Sequence, residues 1–469
     1  MASFSPFRLA ISLVAGLSRR FQSFVASFRR TISGSGVIRK NARNSVYGVI
    51  DYVVVILATL LAASYLVRRL GLSQYGLWML ASAVIGSMDS LGSGFGDATI
   101  KFVSKYRGRG SRTDVERIIR ANLAINGTLG LCVAIFVVLG SKFAITHIFK
   151  VEPEQYQLSV HMLQIAGIIL LLRSLESVFS NTLRACEQFR RTVTINIVSR
   201  ALNLMASVLL AFFGHSVLAI ISASLIIGLI SLSLQIASVR TVCGPIILFP
   251  KFDRASFREI FSFGAFSWVQ ALAGAVFYNA DRLVVGALMG TSALGIYAVC
   301  VQATQPIHGI TTAALNFMFP HISARHEAGE RSSLKRLFRL ATWANIVLVV
   351  VLSAPLVLFG RQILSIWMGP AFALQAYIVL EWLVCANACL GLCVASHYIL
   401  LALGNARFVA MINVLGGALS LGCIALLIPI YGLPGAAIGR LSYAGATSLN
   451  FWKLRSLTLP DFPPKRPHV

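Results

Sequence analysis

The sequence contains two copies of one short motif. Gly71-Leu-Ser-Gln-Tyr-Gly76-Leu-Trp78 recurs 219 residues later as Gly290-Thr-Ser-Ala-Leu-Gly295-Ile-Tyr297, and each copy lies between two long apolar stretches. Two further pairs of segments match in the same order and at nearly the same spacing, at Asn196 and Asn413 and at Gly214 and Gly432. The repetition predicts two related halves. In a very apolar chain, two such halves are typical of a secondary transporter with its substrate site between them.

The composition indicates an integral membrane protein. Hydrophobic residues make up 57% of the chain and charged residues only 12%, whereas a soluble domain carries about 25% charged residues. There are 41 Lys and Arg but 16 Asp and Glu, so the net charge is +25. In a membrane protein such an excess collects on cytoplasmic loops and contacts anionic lipids, so we expect anionic membrane lipids as partners and no nucleic acid.

The apolar segments predict an all-α polytopic membrane protein. A spanning helix needs about 20 mostly apolar residues, and twelve segments qualify, of which the tenth is long enough to be tilted or broken. We therefore expect two parallel six-helix repeats around a central cavity. The predicted spans are 46–67, 74–95, 121–141, 157–179, 193–213, 216–238, 262–287, 294–316, 338–359, 374–402, 407–430 and 433–452.

Basic residues in alternate loops predict that both termini are cytoplasmic. Two halves of six helices then insert the same way up. The predicted division is a basic amphipathic arm at 1–42, an N-terminal half at 43–240, a cytoplasmic linker at 241–260, a C-terminal half at 261–455 and a tail at 456–469.

Ionisable groups within the predicted spans are the candidate functional residues, because each costs several kcal/mol unless it meets a partner or a water-filled cavity. Arg200 and Arg440 have no acidic neighbour on their own helices. Together with Arg173 and Arg282 they would form a basic path across the membrane, where guanidinium groups grip phosphate oxygens. The ionisable candidates are Arg173, Glu176, Arg200, Asp281, Arg282, Glu381 and Arg440.

Structural explanations compete with this functional one. Arg173 and Glu176 lie three residues apart and are placed to neutralise each other on one helix. Asp281 and Arg282 lie near a predicted helix end, where long side chains can reach the membrane interface. A phosphate-binding Gly-x-x-x-x-Gly-Lys loop and a His-Glu-x-x-His motif are both missing from the sequence, so we expect no enzyme activity, no bound metal and no cofactor.

Several segments resemble one family of transporters. The segment Asp281-Arg-Leu-Val-Val-Gly286, followed by Gly290 and Leu294-Gly-Ile-Tyr297, resembles the Wzx-type polysaccharide flippases, which share a superfamily with the MATE exporters and the lipid II flippase. Arg68-Arg-Leu-Gly71 and Phe319-Pro320 fit the same pattern. The resemblance implies a V-shaped pair of six-helix bundles, alternating access, a location in the bacterial inner (plasma) membrane and a polyprenyl-pyrophosphate-linked oligosaccharide as substrate.

With such a cargo, the arginines would hold the pyrophosphate, and Tyr278, Asn279 and Tyr398 would contact sugars. Related carriers couple to proton or sodium gradients, which makes Asp281, Glu176 and Glu381 the candidate ion carriers. Three other functions stay open. They are a MATE-like drug or cation antiporter, a lipid II-type precursor flippase, and a scaffold that recruits a polysaccharide synthesis complex. A polysaccharide polymerase complex is a further candidate partner, and a monomer is expected.

Overall fold

A computed structural model describes residues 36–244, 247, 249–315, 322 and 331–458, and this part of the chain is helical without a strand. The predicted arm, except for 36–42, lies outside the described residues, as do most of the tail and Phe319-Pro320. The helices are α1 (36–70) and α2 (72–108), α3 (Arg112–Phe143), α4 (Tyr156–Ala185), α5 (Phe189–Phe212), α6 (Val217–Cys243), α7 (Arg254–Met289), α8 (Thr291–Leu315), α9 (Arg331–Met368), α10 (Pro370–Leu392), α11 (Val394–Ala402), α12 (Ala406–Tyr431) and α13 (Leu433–Thr458).

Eight helical segments in the described chain are long and apolar enough to cross a membrane. Many of their large apolar side chains are exposed, as they would be against lipid tails; Phe136 is 77% exposed and Leu139 is 76% exposed. The prediction of a polytopic helical membrane protein is confirmed, whereas twelve as the number of spans stays a prediction. The tenth predicted span is indeed broken, since Cys393 separates α10 from α11.

Both copies of the repeated motif begin with the same backbone break. Gly71 separates α1 from α2 with a φ of 80°, and Gly290 separates α7 from α8 with a φ of 89°. Glycine adopts this left-handed region without the steric cost that a Cβ atom brings. The equivalent glycines therefore make equivalent turns, which supports the internal duplication inferred from the sequence.

The two motif copies pack directly against each other. A Cβ on Gly76 would collide with the main-chain carbonyl oxygen of Thr291, and a Cβ on Gly295 would come within 2.5 Å of the Leu72 carbonyl oxygen. The hydroxyls of Ser73 and Thr291 lie 2.8 Å apart and share a hydrogen bond. We call Leu72, Ser73, Gly76, Thr291 and Gly295 the motif interface. It joins the N-terminal and C-terminal halves through backbone contacts that only residues without a side chain permit.

Gly76→Ala is expected to destabilise the protein by about 1–3 kcal/mol, because its methyl group collides with a main-chain carbonyl that cannot rotate away. Gly140→Ala is the matched control, since a Cβ at that helical glycine meets no atom within 4 Å. Thermal unfolding in detergent measures both. A Gly76→Ala protein as stable as the control would show that the halves do not approach as closely as described.

Other contacts reinforce the junction at this end of the molecule. Arg68 donates a hydrogen bond to the carbonyl of Trp367, and the Trp367 indole donates one to the carbonyl of Leu60, both at 3.0 Å. Arg69 lies over the rings of Tyr65 and Phe212. These partners account for the two arginines at the end of α1.

At the opposite end, which carries most of the basic residues and is called the basic end, Glu259 of α7 links to α2. Its carboxylate accepts hydrogen bonds from the Lys105 ammonium group and the Tyr106 hydroxyl, both at 3.0 Å. The hydrogen bond to Glu259 raises the pKa of Lys105. Ile260 and Phe257 join an apolar cluster made mainly by α2 to α4. The first turns of α7 thus pack on the N-terminal half, inside the segment predicted to be a linker.

Candidate functional site

A cavity of about 300 Å³ lies inside the C-terminal half, between α7, α8 and α10–α13. Its walls carry the buried ion pair described below and many uncharged polar groups. Those used in the argument below are Gln305, His308, Asn387, His397, Tyr398, Asn413, Tyr443, Thr447 and Asn450.

One face of α13 forms a polar wall of this cavity. Arg440, Tyr443, Thr447 and Asn450 all line it, and their spacings of three and four residues place them on the same side of a helix. At a rise of 1.5 Å per residue, this wall is about 15 Å long. Asn450 lies towards the basic end and Arg440 lies deeper in the helical bundle, so the cavity is a slot that extends along the helix axis.

Asp281 and Arg440 form a buried ion pair at the deep end of the slot. Arg440 Nη1 donates to Asp281 Oδ2 at 2.7 Å, and the two side chains are 13% and 5% exposed. The Tyr297 hydroxyl donates to the same oxygen at 2.9 Å, and the main-chain N–H of Arg282 donates to Oδ1 at 2.8 Å. Several donors therefore stabilise the carboxylate where water is scarce.

This pair decides between two explanations left open by the sequence. Asp281 does not reach out to a membrane interface, because it is 4% exposed and bonded to two other helices. Arg440 has an acidic partner, which lies on α7 rather than on its own helix. Tyr297 belongs to the second motif copy, so one side chain connects the ion pair to the helix that carries the motif interface.

The neighbouring residues of α7 face the N-terminal half. Arg282 is half-buried, and its Nε has no hydrogen-bond partner among the described residues. Asn279 is buried, and its amide lies within 3.2 Å of where a Cβ on Gly86 of α2 would stand. Tyr278 also lies on α7, but its side chain is outside the described part.

A second buried charge lies in the N-terminal half. Glu176 accepts hydrogen bonds from Arg173 at 3.1 Å, from Gln235 at 2.8 Å and from Ser231. Gln235 also donates to Asn196 at 3.3 Å. The predicted pairing of Arg173 with Glu176 is present, and two more donors complete it. Asn196 and its counterpart in the repeat, Asn413, both face the polar centre of their own half.

Arg200 and Glu381 occupy different surroundings. Arg200 lies halfway along α5, is exposed, and makes no ion pair or hydrogen bond with any residue that the structure describes. Glu381 is exposed on α10 beside the exposed Trp382. The structure therefore brings Asp281 and Arg440 together in the cavity, with Tyr398 on its wall. It leaves Arg200, Glu381 and the Arg173–Glu176 pair elsewhere.

Sequence reasoning missed most of the cavity's uncharged polar residues, including Gln305, Asn387, Asn413 and Asn450. The helical spacing of polar residues between Arg440 and Asn450 was the available signal, since such a stripe in an apolar helix marks a face turned away from lipid. Within the described ranges, no three His, Cys, Asp or Glu side chains cluster closely enough to hold a metal ion.

Two motif-related halves of long apolar helices, with buried charges inside each half, define a polytopic membrane protein of transporter architecture. Solved structures with the same fold include an inward-facing multidrug resistance MATE family transporter of the MOP superfamily, with a TM-score of 0.73 at 15% identity over 86% of this chain and 94% of that one. The lipid II flippase MurJ, in an inward closed conformation, has a TM-score of 0.68 at 12% identity over 89% and 88%.

The family model described as "Polysaccharide biosynthesis protein" matches residues 65–373, and the chain belongs to that family. It is 22% identical to a putative O-antigen transporter of Shigella flexneri over 84% of this chain and 93% of the relative. It is 24% identical to the probable low-salt glycan biosynthesis flippase Agl15 of Haloferax volcanii over 86% and 81%. The family resemblance noted in the sequence is confirmed, and these relatives are transporters, not enzymes.

Proposed function

We propose that this protein is a flippase. It moves a polyprenyl-pyrophosphate-linked oligosaccharide, the repeat unit of a polysaccharide, from the cytoplasmic to the outer leaflet of the bacterial inner membrane by alternating access. Family membership and the names of the transporter and flippase relatives support this function. The basic end is cytoplasmic in this proposal, together with both termini, in keeping with the positive-inside rule. Residues 43–240 and 261–455 are its two moving halves.

The observation that carries the proposal is the unpaired arginine halfway along α5. A guanidinium in a membrane-length helix with no protein partner is costly unless it faces water or an anion. Arg200 meets this description among the residues that the structure describes. A pyrophosphate offers adjacent anionic oxygens that suit the forked donors of arginine. Arg200 is therefore the first contact for the cargo's headgroup. As the headgroup crosses the membrane, it then contacts Arg173, Arg282 and Arg440.

Asp281 is the first candidate for the residue that couples transport to an ion gradient, and Glu176 and Glu381 are the next candidates. Protonating Asp281, or placing a cation on it, removes the charge that holds Arg440 at 2.7 Å. The freed guanidinium then attracts an anionic cargo, so the ion and the cargo compete for the same arginine. Glu176 is held by three donors, and Glu381 is exposed, which makes both weaker candidates. The protein acts as a monomer beside anionic lipids, next to a polysaccharide polymerase complex.

A leaflet assay tests the function. Purified protein in liposomes is given a fluorescent polyprenyl-pyrophosphate oligosaccharide, and its appearance in the opposite leaflet is timed with and without an ion gradient. Wild type is expected to move it. Arg200→Gln is expected to slow movement at least tenfold, since a charged hydrogen bond contributes about 1.5–3 kcal/mol. Arg190→Gln, also exposed and near the start of the same helix, serves as the matched control and keeps the wild-type rate.

Each contrary result points to a different function. An equal loss of transport rate in Arg200→Gln and Arg190→Gln would show that Arg200 is not a specific cargo contact, but the protein would still be a flippase. Movement of lipid II or of a cationic drug, with no movement of lipid-linked oligosaccharides carrying several different glycans, would favour the precursor flippase or the antiporter. Failure to move any of these substrates under an imposed gradient would favour the scaffold.

A further inference from the structure

Asn450 is a buried amide without a hydrogen-bond partner. It is 1% exposed, and neither its amide nitrogen nor its amide oxygen is bonded to any residue that the structure describes. Buried polar side chains are nearly always paired, because an unpaired group loses its bonds to water on folding and gains nothing in return. Asn450 also lines the cavity of the C-terminal half. Its position suits a ligand that offers a donor and an acceptor side by side.

Two more unpaired amides face the same cavity from other helices. Gln305 of α8 and Asn413 of α12 line it, and neither side chain is hydrogen-bonded within the described residues. In contrast, Asn387 is bonded to Thr304 and Leu383 and serves the helix packing. Three free amides on three helices therefore converge on one space. An amide presents a donor and an acceptor that match two neighbouring hydroxyl groups on a sugar ring.

The other walls suit the same ligand. Tyr443 and Tyr398 present aromatic rings to the cavity, and a ring face packs well against the C–H groups of a sugar. Among the described residues that line the slot, the one acid, Asp281, is paired with the one arginine, Arg440. His308 and His397 carry no fixed charge, so an additional charged group would find no permanent counter-charge. A volume of about 300 Å³ is at the lower limit for small-molecule sites. It suits a single sugar ring and excludes a polyprenyl chain.

We propose that this cavity is a subsite for one uncharged sugar residue of the lipid-linked cargo. Asn450, Asn413 and Gln305 recognise this sugar by hydrogen bonds to its hydroxyl groups. The inference rests on the proposed flippase function and assigns the recognition of the glycan to the C-terminal half. The sugar enters from the basic end, where Asn450 lies, and points towards Arg440. Specificity then depends on the positions of the sugar hydroxyls, since a hydroxyl that fails to reach an amide leaves that amide buried and unpaired.

Binding of two kinds of synthetic ligand tests the subsite. One kind is polyprenyl pyrophosphate carrying a single hexose or N-acetylhexosamine, taken as a panel of different sugars, and the other is the same lipid pyrophosphate without sugar. Wild type is expected to bind at least one glycosylated lipid tenfold or more tightly than the sugar-free lipid. Asn450→Leu, which keeps the size of the side chain, is expected to lose that preference with unchanged affinity for the sugar-free lipid.

Thermal unfolding of the ligand-free protein separates a binding role from a structural one. Removing an unpaired buried amide is expected to leave the melting temperature of Asn450→Leu unchanged or higher. Ser448→Ala, an exposed neighbour on α13, is the control and keeps both the sugar preference and the stability. Asn413→Leu repeats the test from α12, so that a poorly folded Asn450→Leu protein does not decide the result.

Three results would overturn the subsite. They are a wild type without preference for any glycosylated lipid, an Asn450→Leu or Asn413→Leu protein that retains the preference, and an equal loss of affinity for both kinds of lipid. The last result would indicate that the substituted residue supports binding of the lipid pyrophosphate that both ligands share, or supports the fold, and does not recognise a sugar. If wild type still flips the lipid-linked oligosaccharide in any of these cases, only the subsite fails. If it neither binds nor flips any of the lipids, the flippase function fails with it.

Discussion

A disulfide formed between Ser73→Cys and Thr291→Cys is expected to reduce transport to the rate of protein-free liposomes. The two native hydroxyls lie 2.8 Å apart across the motif interface, which is close enough for a disulfide after a small adjustment of the side chains. Alternating access requires the two halves to separate at one end of the molecule. A covalent link at the motif interface prevents that separation, and a reducing agent is expected to restore the rate.

The native cysteines supply a matched control for this experiment. Cys186 follows α4 and Cys243 ends α6, two helices of the N-terminal half, and their sulfur atoms lie 3.5 Å apart. Oxidising that pair in the otherwise unmodified protein is expected to leave transport near its starting rate, because it joins helices of one half. The Ser73→Cys/Thr291→Cys protein is made with Cys186→Ala to keep the two links separate. Fully cross-linked Ser73→Cys/Thr291→Cys protein that transports at the uncross-linked rate would show that the motif interface does not open.

The second large effect concerns the buried ion pair. Asp281→Asn is expected to destabilise the protein by about 3–5 kcal/mol, because Arg440 is then left charged, buried and without its partner. The Tyr297 hydroxyl loses its charged acceptor at the same time. Replacing both members, as Asp281→Asn with Arg440→Gln, removes the uncompensated charge and is expected to recover most of the lost stability. Thermal unfolding of the two single variants and the double variant measures the coupling.

The double variant also tests the assignment of ion coupling. With both charges gone and the fold retained, transport is expected to be slower, because the cargo loses its contact with Arg440, and to show no dependence on an ion gradient. Additive losses of stability would mean that the two side chains do not interact as described. A double variant with wild-type gradient dependence would assign the coupling ion to another carboxylate, for which Glu176 is the next candidate.

Several properties of this protein follow from its sequence alone. The low charge content and long apolar segments determine a helical membrane protein, because only helices satisfy every main-chain polar group within one segment in lipid. The repeated motif determines two related halves, since Gly71 and Gly290 impose the same turn in each. Arg173 and Glu176 lie one helical turn apart, so their pairing is also a local property of the sequence.

Only the tertiary structure decided which distant residues meet. Asp281 and Arg440 are separated by 159 residues in the chain, and helix periodicity gives each a face without saying which helix that face packs against. The same holds for Ser73 and Thr291, whose contact depends on how one half lies on the other. Asn450 carries no charge and no motif, so it became a candidate only once its amide was found buried and unpaired. Local patterns determine helices and their polar faces, whereas packing between helices determines which polar groups are satisfied and which remain free for a ligand.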